Sequence, residues 1–551
     1  MTDNNTGKDT TKDSLYIKEV AGHQALYKRV IQLFHSSTKA AAVMLVAAIV
    51  ALIVANTAFY DQFYEFWHTE VGFFFGNATA EMSLAHIIND IFMAVFFLLV
   101  GLEIKYEMTV GELTNIRQAL LPIVAAFGGV LFPIVIYLIF NATNPETAHG
   151  WGVPTATDIA FALGIMALLG NRVPSGIRVF LSTLAVADDI IAILVIAIFY
   201  GQSPSAFWLI AAAVVFAVLI IMNRKHVYSL TPYILVGVVL WYCVFMSGVH
   251  STIAGVLLAF AIPSGSRINL KSFISWSGNR VEEAKGLYEP NDPVIGQKDY
   301  IATVAKLSHV ARQVIPPATR LENKLYPWVY FAILPLFALT NADVSFVGGG
   351  LGEIFADPVL PGVFFGLLLG KPIGIMLFSF IIVKTKLASL PEHANWGHML
   401  GAGILGGVGF TMAIFVANLA FDDPAVVSTA KLAILSASLV AGIVGFLVLY
   451  IQANTARKKG IAYVAAASDA AHPQAADKEF VEASKQMLDE IESPLVKEEV
   501  AAAQREHDSG LAEIVVDLGA DDERSDKAAV EGRIDPDASE GGVDEGGTGR
   551  A

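Results

Sequence analysis

The sequence predicts an all-α integral membrane protein with about twelve transmembrane helices. Only 16% of its 551 residues are charged and 55% are hydrophobic, whereas soluble domains carry about 25% charged residues. Apolar stretches such as 118–140, 190–221, 231–262 and 359–383 are long enough to cross about 30 Å of hydrocarbon, and several could hold two spans. Because Cys243 is the only cysteine, neither a disulfide framework nor a cysteine metal site is possible.

Lysine and arginine alternate between the loops of the apolar region. Loops with basic residues are 103–117, 170–178, 222–229, 263–326, 384–396 and 452–460. The intervening loops have no Lys or Arg: 57–84, 141–156, 201–206, 243–249, 341–357 and 421–430. Because basic loops stay in the cytoplasm, this alternation predicts twelve crossings of a bacterial inner membrane, with both termini cytoplasmic.

The charge divides the chain into three parts: a polar cytoplasmic leader at 1–37, a membrane domain at 38–453 and an acidic cytoplasmic tail at 454–551. Residues 461–551 contain 23 Asp and Glu against 8 Lys and Arg, which accounts for the whole net charge of −15. No basic patch for nucleic acid is present, and no cleavable signal peptide is visible. We expect a short amphipathic helix at 476–491 and a largely disordered remainder of the tail.

Two of the predicted spans are poor helix formers. The fourth, at 151–170, contains Pro154 followed by Thr155, Ala156, Thr157 and Asp158, and the eleventh has five glycines within 401–409. If spans 3–5 and 10–12 are matching triplets, these are the middle members of inverted-topology repeats, each a discontinuous helix near a transport site. Glycine used for close helix packing is the alternative explanation.

Four charged residues fall inside predicted spans: Asp158, Asp188, Asp189 and Lys371. An ionised side chain at the bilayer centre costs about 2.5–3.5 kcal/mol on insertion scales, so such residues pair or line a wet cavity. Any one of them, taken alone, could belong to an ion pair with a purely structural role. Three carboxylates facing one ammonium leave at least one carboxylate unpaired, and that carboxylate is the functional candidate.

Adjacent residues on a helix point about 100° apart, so Asp188 and Asp189 cannot both face one small ligand squarely. We therefore expect one carboxylate to serve an exchangeable cation and the other to face Lys371. Carboxylates and the carbonyls of broken helices supply the oxygen ligands that an alkali cation requires. Competition between a cation and protons for these groups would give obligatory exchange, and no cofactor is expected.

At these residues the sequence resembles the NhaA-type Na⁺/H⁺ antiporters of bacteria. The similarity covers roughly 38–453 and includes the second-span residues Asn89 and Asp90. Its other motifs are MAVFFLLVGLEIK at 93–105, ATDIAFALG at 156–164, ADD at 187–189, GKP at 370–372 and GVGFTM at 407–412.

The resemblance implies a homodimeric, multi-pass secondary transporter, not an enzyme, embedded in membrane lipid. It would export Na⁺ or Li⁺ in exchange for two inward protons, electrogenically, and so regulate intracellular pH and sodium. Asp189 would be the principal cation and proton carboxylate, and Asp188 would alternate between Lys371 and the cation. Thr157 and Asp158 would lie where the broken helices cross, with Asp158 balancing helix-end dipoles.

Three further positions match residues linked in the family to pH response: Glu103, His250 and Glu322. Glu103 and Glu322 border basic loops and could equally be surface charges, whereas His250 could be a satisfied polar residue at the outer mouth of the eighth span. Tyr106 departs from the arginine that often follows Glu-x-Lys in the family.

Other functions fit the residues less well. An intramembrane aspartyl protease places its aspartates on separate helices, and a light-driven pump with Lys371 as Schiff base would have seven spans. A cation channel or another proton-coupled secondary transporter remains the alternative.

Overall fold

The computed structural model describes residues 37–458 apart from 76–77, 115, 202–203, 267, 291 and 345–356. The predicted leader, apart from residue 37, and the tail beyond 458, including the expected helix at 476–491, lie outside the described residues.

The described part is mostly helical. Its first elements are α1 (Ser37–Ala55), α2 (Tyr60–His68), β1 (Glu70–Phe75), β2 (Ala78–Ser83), α3 (Leu84–Thr109), α4 (Ile116–Asn141), α5 (Pro145–Ala148), α6 (Ile159–Ala167) and α7 (Ser175–Phe199). They are followed by α8 (Ala206–Arg224), α9 (Leu230–Met246), α10 (Thr252–Ala261), α11 (Leu270–Leu287), α12 (Lys298–Val314), α13 (Pro317–Trp328), α14 (Leu334–Asn341), α15 (Val359–Lys384), α16 (Trp396–Gly406), α17 (Phe410–Ala420) and α18 (Pro424–Lys458).

Several helices are long and apolar enough to cross a bilayer. Among the described residues there are seven: α1, α3, α4, α7, α8, α15 and α18. The pair α16 and α17, bent by 43° across a short break, makes an eighth if it is counted as one span. Helices α9 and α10 are apolar but shorter. These helices agree with an all-α membrane architecture.

An antiparallel hairpin within loop 57–84 was not predicted. Strands β1 and β2 pair from Glu70 with Ser83 to Phe75 with Ala78. A signal was present in the sequence, because the apolar run Val71 to Phe75 is followed by Gly76 and Asn77, a combination typical of tight hairpin turns. Because long hydrophobic segments flank this loop on both sides, the sequence pattern predicted helices there and no strands.

Two π-helical turns each lie just before a proline. A π-helical turn at Val329–Ile333 precedes Pro335, and another at Gly366–Gly370 precedes Pro372. Proline has no N–H to donate to the carbonyl four residues earlier, which leaves one carbonyl in each of these turns without its helical partner. Turns with π geometry are frequent at functional sites. The second of these turns directly precedes Lys371.

Close contact between α4 and α15 sets the position of Lys371. A Cβ atom added at Gly374 would lie 2.0 Å from the Gly128 carbonyl oxygen, so the two backbones touch where both residues are glycine. Small residues permit this approach of helices in a membrane. Aromatic rings pack α3, α14 and α17 together at Phe97, Phe337 and Phe415, with ring centroids 5.4 and 6.3 Å apart.

Candidate functional site

The two weak spans meet where each of them leaves helical geometry. A 3₁₀ segment at His149–Thr155 precedes α6, and Asp158, with extended backbone, is its N-cap residue. The backbone N–H of Asp158 donates to the carbonyl of Val408, between α16 and α17, at 2.8 Å. The Asp158 N–H and the Val408 carbonyl, which both lie outside regular helix, thus satisfy each other.

Asp158 binds the N-terminal turns of two helices. Its Oδ1 accepts from the N–H of Phe161 in α6 at 3.0 Å. Its Oδ2 accepts from the N–H of Thr411 in α17 at 3.2 Å and also from the Thr411 hydroxyl. Because helix N-termini carry partial positive charge, one carboxylate counters both helix ends.

Lys371 and Asp188 form an ion pair with both side chains fully buried. The Lys371 ammonium also donates to the Thr157 hydroxyl oxygen. That hydroxyl lies 2.8 Å from Asp188 Oδ2 and 2.8 Å from the Gly406 carbonyl oxygen, and its single proton can serve one of these acceptors at a time. Thr157 therefore links the ion pair to the crossing of the interrupted helices.

Asp189 is buried, with 2% of its surface exposed. Its Oδ1 and Oδ1 of Asp188 have no hydrogen-bond partner within the described part of the chain. Buried polar atoms are normally satisfied, and the two Oδ1 atoms of these consecutive residues are exceptions. No three acidic, histidine or cysteine side chains cluster as metal ligands among the residues described.

Glu322 and Glu103 do not behave as ordinary surface charges. Glu322 on α13, ahead of the apolar segment 328–340, is only 5% exposed. Burial, aided by the charge of Glu107, raises the pKa of Glu322 to about 7. Glu103 is half-buried, and the Tyr330 hydroxyl donates to it at 3.4 Å. The surface-charge interpretation is wrong for Glu322 and weak for Glu103.

His250 lies apart from these carboxylates. Its Nε2 donates to the main-chain carbonyl of Tyr200, just beyond the end of α7. Tyr200 follows Asp189 by 11 positions, which corresponds to about 16 Å along a helix. The structure therefore does not bring His250 to the buried carboxylates, and it fits the description of a satisfied polar residue.

Two residues of this region were not among the predicted site residues. Thr411 lies within the GVGFTM motif and supplies both donors to Asp158 Oδ2. Glu107 is 4% exposed and follows Glu103 by one helical turn. The i, i+4 spacing of Glu103 and Glu107 could have revealed a shared helix face, but the sequence alone does not tell which face is buried.

Comparison with known proteins decides the family. The sequence model of the Na⁺/H⁺ antiporter 1 family matches residues 31–449. The chain belongs to this family. The match covers every described residue of the buried site, and it agrees with the resemblance seen in the motifs.

Individual members of the Na⁺/H⁺ antiporter family are similar over nearly their whole length. A Na⁺/H⁺ antiporter NhaA of Wolinella succinogenes is 41% identical over 439 residues, which is 80% of this chain and 96% of the relative. Those of Helicobacter pylori strain G27 and Oleidesulfovibrio alaskensis are each 44% identical, over 75% and 74% of this chain and 93% and 90% of the relatives. Together with the apolar helices, this membership identifies a multi-pass membrane protein of the transporter class.

Proposed function

We propose that this protein is a secondary active transporter that exports Na⁺ or Li⁺ in exchange for inward protons. The observation that carries the proposal is the pair of consecutive buried aspartates, one held by Lys371 and both with an unpartnered oxygen. They lie beside the crossing of two interrupted segments, which is where ion sites form in transporters built from inverted repeats.

The cation would bind Asp189 first. A hard alkali ion takes oxygen ligands, and the orphaned Oδ1 of Asp189 would supply the first. Asp188, which faces Lys371 in this structure, would supply a second once it turns away from the ammonium. Thr157, whose hydroxyl already touches Asp188 and Lys371, is placed to contribute a third.

Proton coupling follows from the charge balance of these residues. When the cation binds to both aspartates, Asp188 releases Lys371, whose ammonium is then buried without a counter-ion and loses its proton. A proton held by Asp189 must also leave. Two protons then exchange for one cation, so one net charge moves in each cycle and transport is electrogenic. This exchange uses no cofactor.

We further propose the arrangement in the membrane. Twelve spans with both termini in the cytoplasm of a bacterial inner membrane are supported by the alternation of basic and basic-free loops. Two inverted-topology repeats are supported by the mutual contact of α6 with the junction of α16 and α17. Asp158 would balance the helix-end charges exposed by the interruption. Membrane lipid surrounds this domain, and a homodimer is the proposed assembly.

Glu103 and Glu322 would adjust the exchange to pH, since Glu322 is buried and Glu103 half-buried on neighbouring elements. A regulatory role for His250 finds less support, because its ring is engaged by the Tyr200 carbonyl. The regulation of intracellular pH and sodium would follow from the exchange itself.

The test is exchange in everted vesicles made from a bacterial host that lacks its own antiporters. Respiration acidifies the vesicle interior, and addition of Na⁺ or Li⁺ should dissipate the pH gradient, whereas choline should not. A channel would dissipate the membrane potential without this cation-dependent proton movement. No response to Na⁺ or Li⁺ across the neutral to alkaline range would overturn the proposal.

A further inference from the structure

The long loop 263–326 folds into a helical hairpin made of α11 and α12. The rings of Tyr288 and Tyr300 lie 5.4 Å apart near the turn, and Trp276 and Val310 line the same cleft nearer the root, so the helices are antiparallel. The root is closed by a hydrogen bond from the N–H of Ala318 to the Pro263 carbonyl at 3.1 Å. The hairpin thus leaves and re-enters the apolar domain at one place.

One side of the hairpin presents apolar side chains that remain exposed to solvent over two-fifths or more of their surface. We call this the exposed apolar face. Its members are Leu270, Ile274 and Val281 on α11 and Ile301 and Val304 on α12, each between 40% and 48% exposed.

Helical geometry places these residues on the same side of the hairpin. On α11 the packed residues include Phe273, Trp276 and Arg280, and on α12 they include Thr303 and Leu307. Successive helical residues point 100° apart. On each helix, the exposed apolar residues therefore lie about a third of a turn from the packed residues, and the rotation has the same direction along the chain in both helices. Because the two helices are antiparallel, this equal rotation brings both sets of exposed residues to one side of the hairpin.

Basic residues flank this face. By the same geometry Lys271 and Lys285 border it on α11, and Arg312 borders it on α12; all three are exposed. Lys285 forms an exposed pair with Glu282 at 2.8 Å, which contributes little in water. The opposite side of the hairpin carries the cleft lined by Trp276, Arg280, Lys306 and His309.

We propose that the exposed apolar face lies on the membrane surface and binds anionic phospholipid. The five apolar side chains would enter the boundary between headgroups and acyl chains, and the three basic side chains would contact lipid phosphates, as in interfacial amphipathic helices. Each basic residue near an anionic surface raises association by about fivefold.

The position of the root favours lipid over the acidic tail as the occupant. Leu270 follows the end of the apolar helix α10 by nine positions, and the 49%-exposed Ile315 lies two residues before α13. The face therefore begins a short distance along the chain from the apolar helix α10. The negatively charged tail at 461–551 would match the basic flank as well, so the test below includes its removal.

The test uses the full-length protein with Cys243→Ser, so that a single new cysteine carries an environment-sensitive dye. The two sites are Ile301→Cys on the exposed apolar face and Ala302→Cys, the neighbouring residue, which lines the cleft on the other side. Each protein is placed in nanodiscs, one copy per disc, with or without phosphatidylglycerol, and with a quencher on the lipid tails. Retained cation exchange in proteoliposomes confirms the fold of each variant.

We expect lipid-borne quenching at position 301 to exceed that at 302 by about threefold or more in discs that contain phosphatidylglycerol, because interfacial side chains reach the acyl boundary. The triple variant Lys271→Glu, Lys285→Glu and Arg312→Glu should lose this excess. Equal quenching at 301 and 302 would overturn the proposal. A second result would also overturn it: the label at 301 is shielded from water but not quenched by lipid, and it becomes exposed when residues 461–551 are removed. The tail, and not lipid, would then cover the face.

Discussion

Lys371 and Asp188, 183 positions apart in the chain, form an ion pair from which solvent is fully excluded. Asp189, the next residue after Asp188, is equally buried and, like Asp188, has an Oδ1 atom without a hydrogen-bond partner, but it forms no ion pair among the described residues. Neighbouring carboxylates on one helix thus lie in different electrostatic surroundings. The difference supports the proposed division between a switching pair and an ion-binding carboxylate.

Removing the ammonium of this pair should destabilise the protein strongly. Lys371→Met leaves Asp188 as an uncompensated buried charge, which costs about 3–5 kcal/mol. Thermal unfolding in detergent measures the loss. Lys431→Met is the matched control, since the Lys431–Asp343 pair is 13–14% exposed and should cost less. The double variant Lys371→Met with Asp188→Asn should recover part of the stability; a double variant as unstable as the single one would contradict this account.

Replacing the proposed ion-binding carboxylate should abolish exchange without unfolding the protein. Asp189→Asn keeps the side-chain volume but removes the negative charge, so Na⁺- and Li⁺-dependent dissipation of the pH gradient should fall to the level of vesicles without the protein. Asp422→Asn, at an exposed loop position, should leave exchange unchanged. Normal expression with retained exchange in Asp189→Asn would move the ion site elsewhere.

The Asp158–Thr411 contact should couple the two interrupted segments. Asp158→Ala removes an N-cap, which costs about 0.5–2 kcal/mol, and leaves the buried Thr411 donors unsatisfied, which costs about 1–3 kcal/mol more. Thr411→Val should cost less, and Thr411→Ser, which keeps the hydroxyl, less still. A double-mutant cycle on thermal stability should give a coupling energy of about 0.5–3 kcal/mol for residues in direct contact. Additive effects would mean that the two side chains act independently.

The glycine contact between α4 and α15 should not accept a side chain. Gly374→Ala places a Cβ 2.0 Å from the Gly128 carbonyl oxygen, and such overpacking costs about 1–3 kcal/mol. Because Gly374 lies three residues after Lys371, the forced separation should also weaken the ion pair and slow exchange. Gly286→Ala on α11, where an added Cβ meets nothing within 4 Å, should leave thermal stability and exchange intact. Equal stability of the two variants would show that the helices separate freely.

Glu322 should make stability fall as pH rises. Its pKa is raised from 4.5 to about 7, so the folded protein holds this proton more tightly than the unfolded chain. The resulting stabilisation is complete below the unfolded pKa and is lost as pH rises through the folded pKa. Glu322→Gln keeps a neutral side chain at every pH. The melting temperature of this variant minus that of the wild type should therefore increase between about pH 5 and about pH 8. A constant difference between the two proteins would exclude titration of Glu322 in this range.

The four charged residues, all of them buried in the structure, could be recognised from the sequence because charged residues are rare and costly in apolar segments. The breaks near Pro154 and within the glycine-rich run 401–409 could also be recognised from the sequence, because proline and glycine weaken helices. The hairpin of β1 and β2 was missed although its turn signal was present. The burial of Glu322 and Glu107 was not predictable, because charged residues next to basic loops are usually solvated.

The sequence by itself determined which residues carry charge into the membrane domain and where its helices are interrupted, since both follow from local composition. The resemblance to known antiporters already implied that Asp188 faces Lys371, and the structure has this ion pair. Only the tertiary structure decided that Asp158 binds Thr411 and that His250 lies elsewhere. Side-chain partners depend on the rotation of each helix about its axis and on contacts between helices far apart in the chain. The glycine contact that brings α15 against α4 is such an interaction, and no local pattern specifies it.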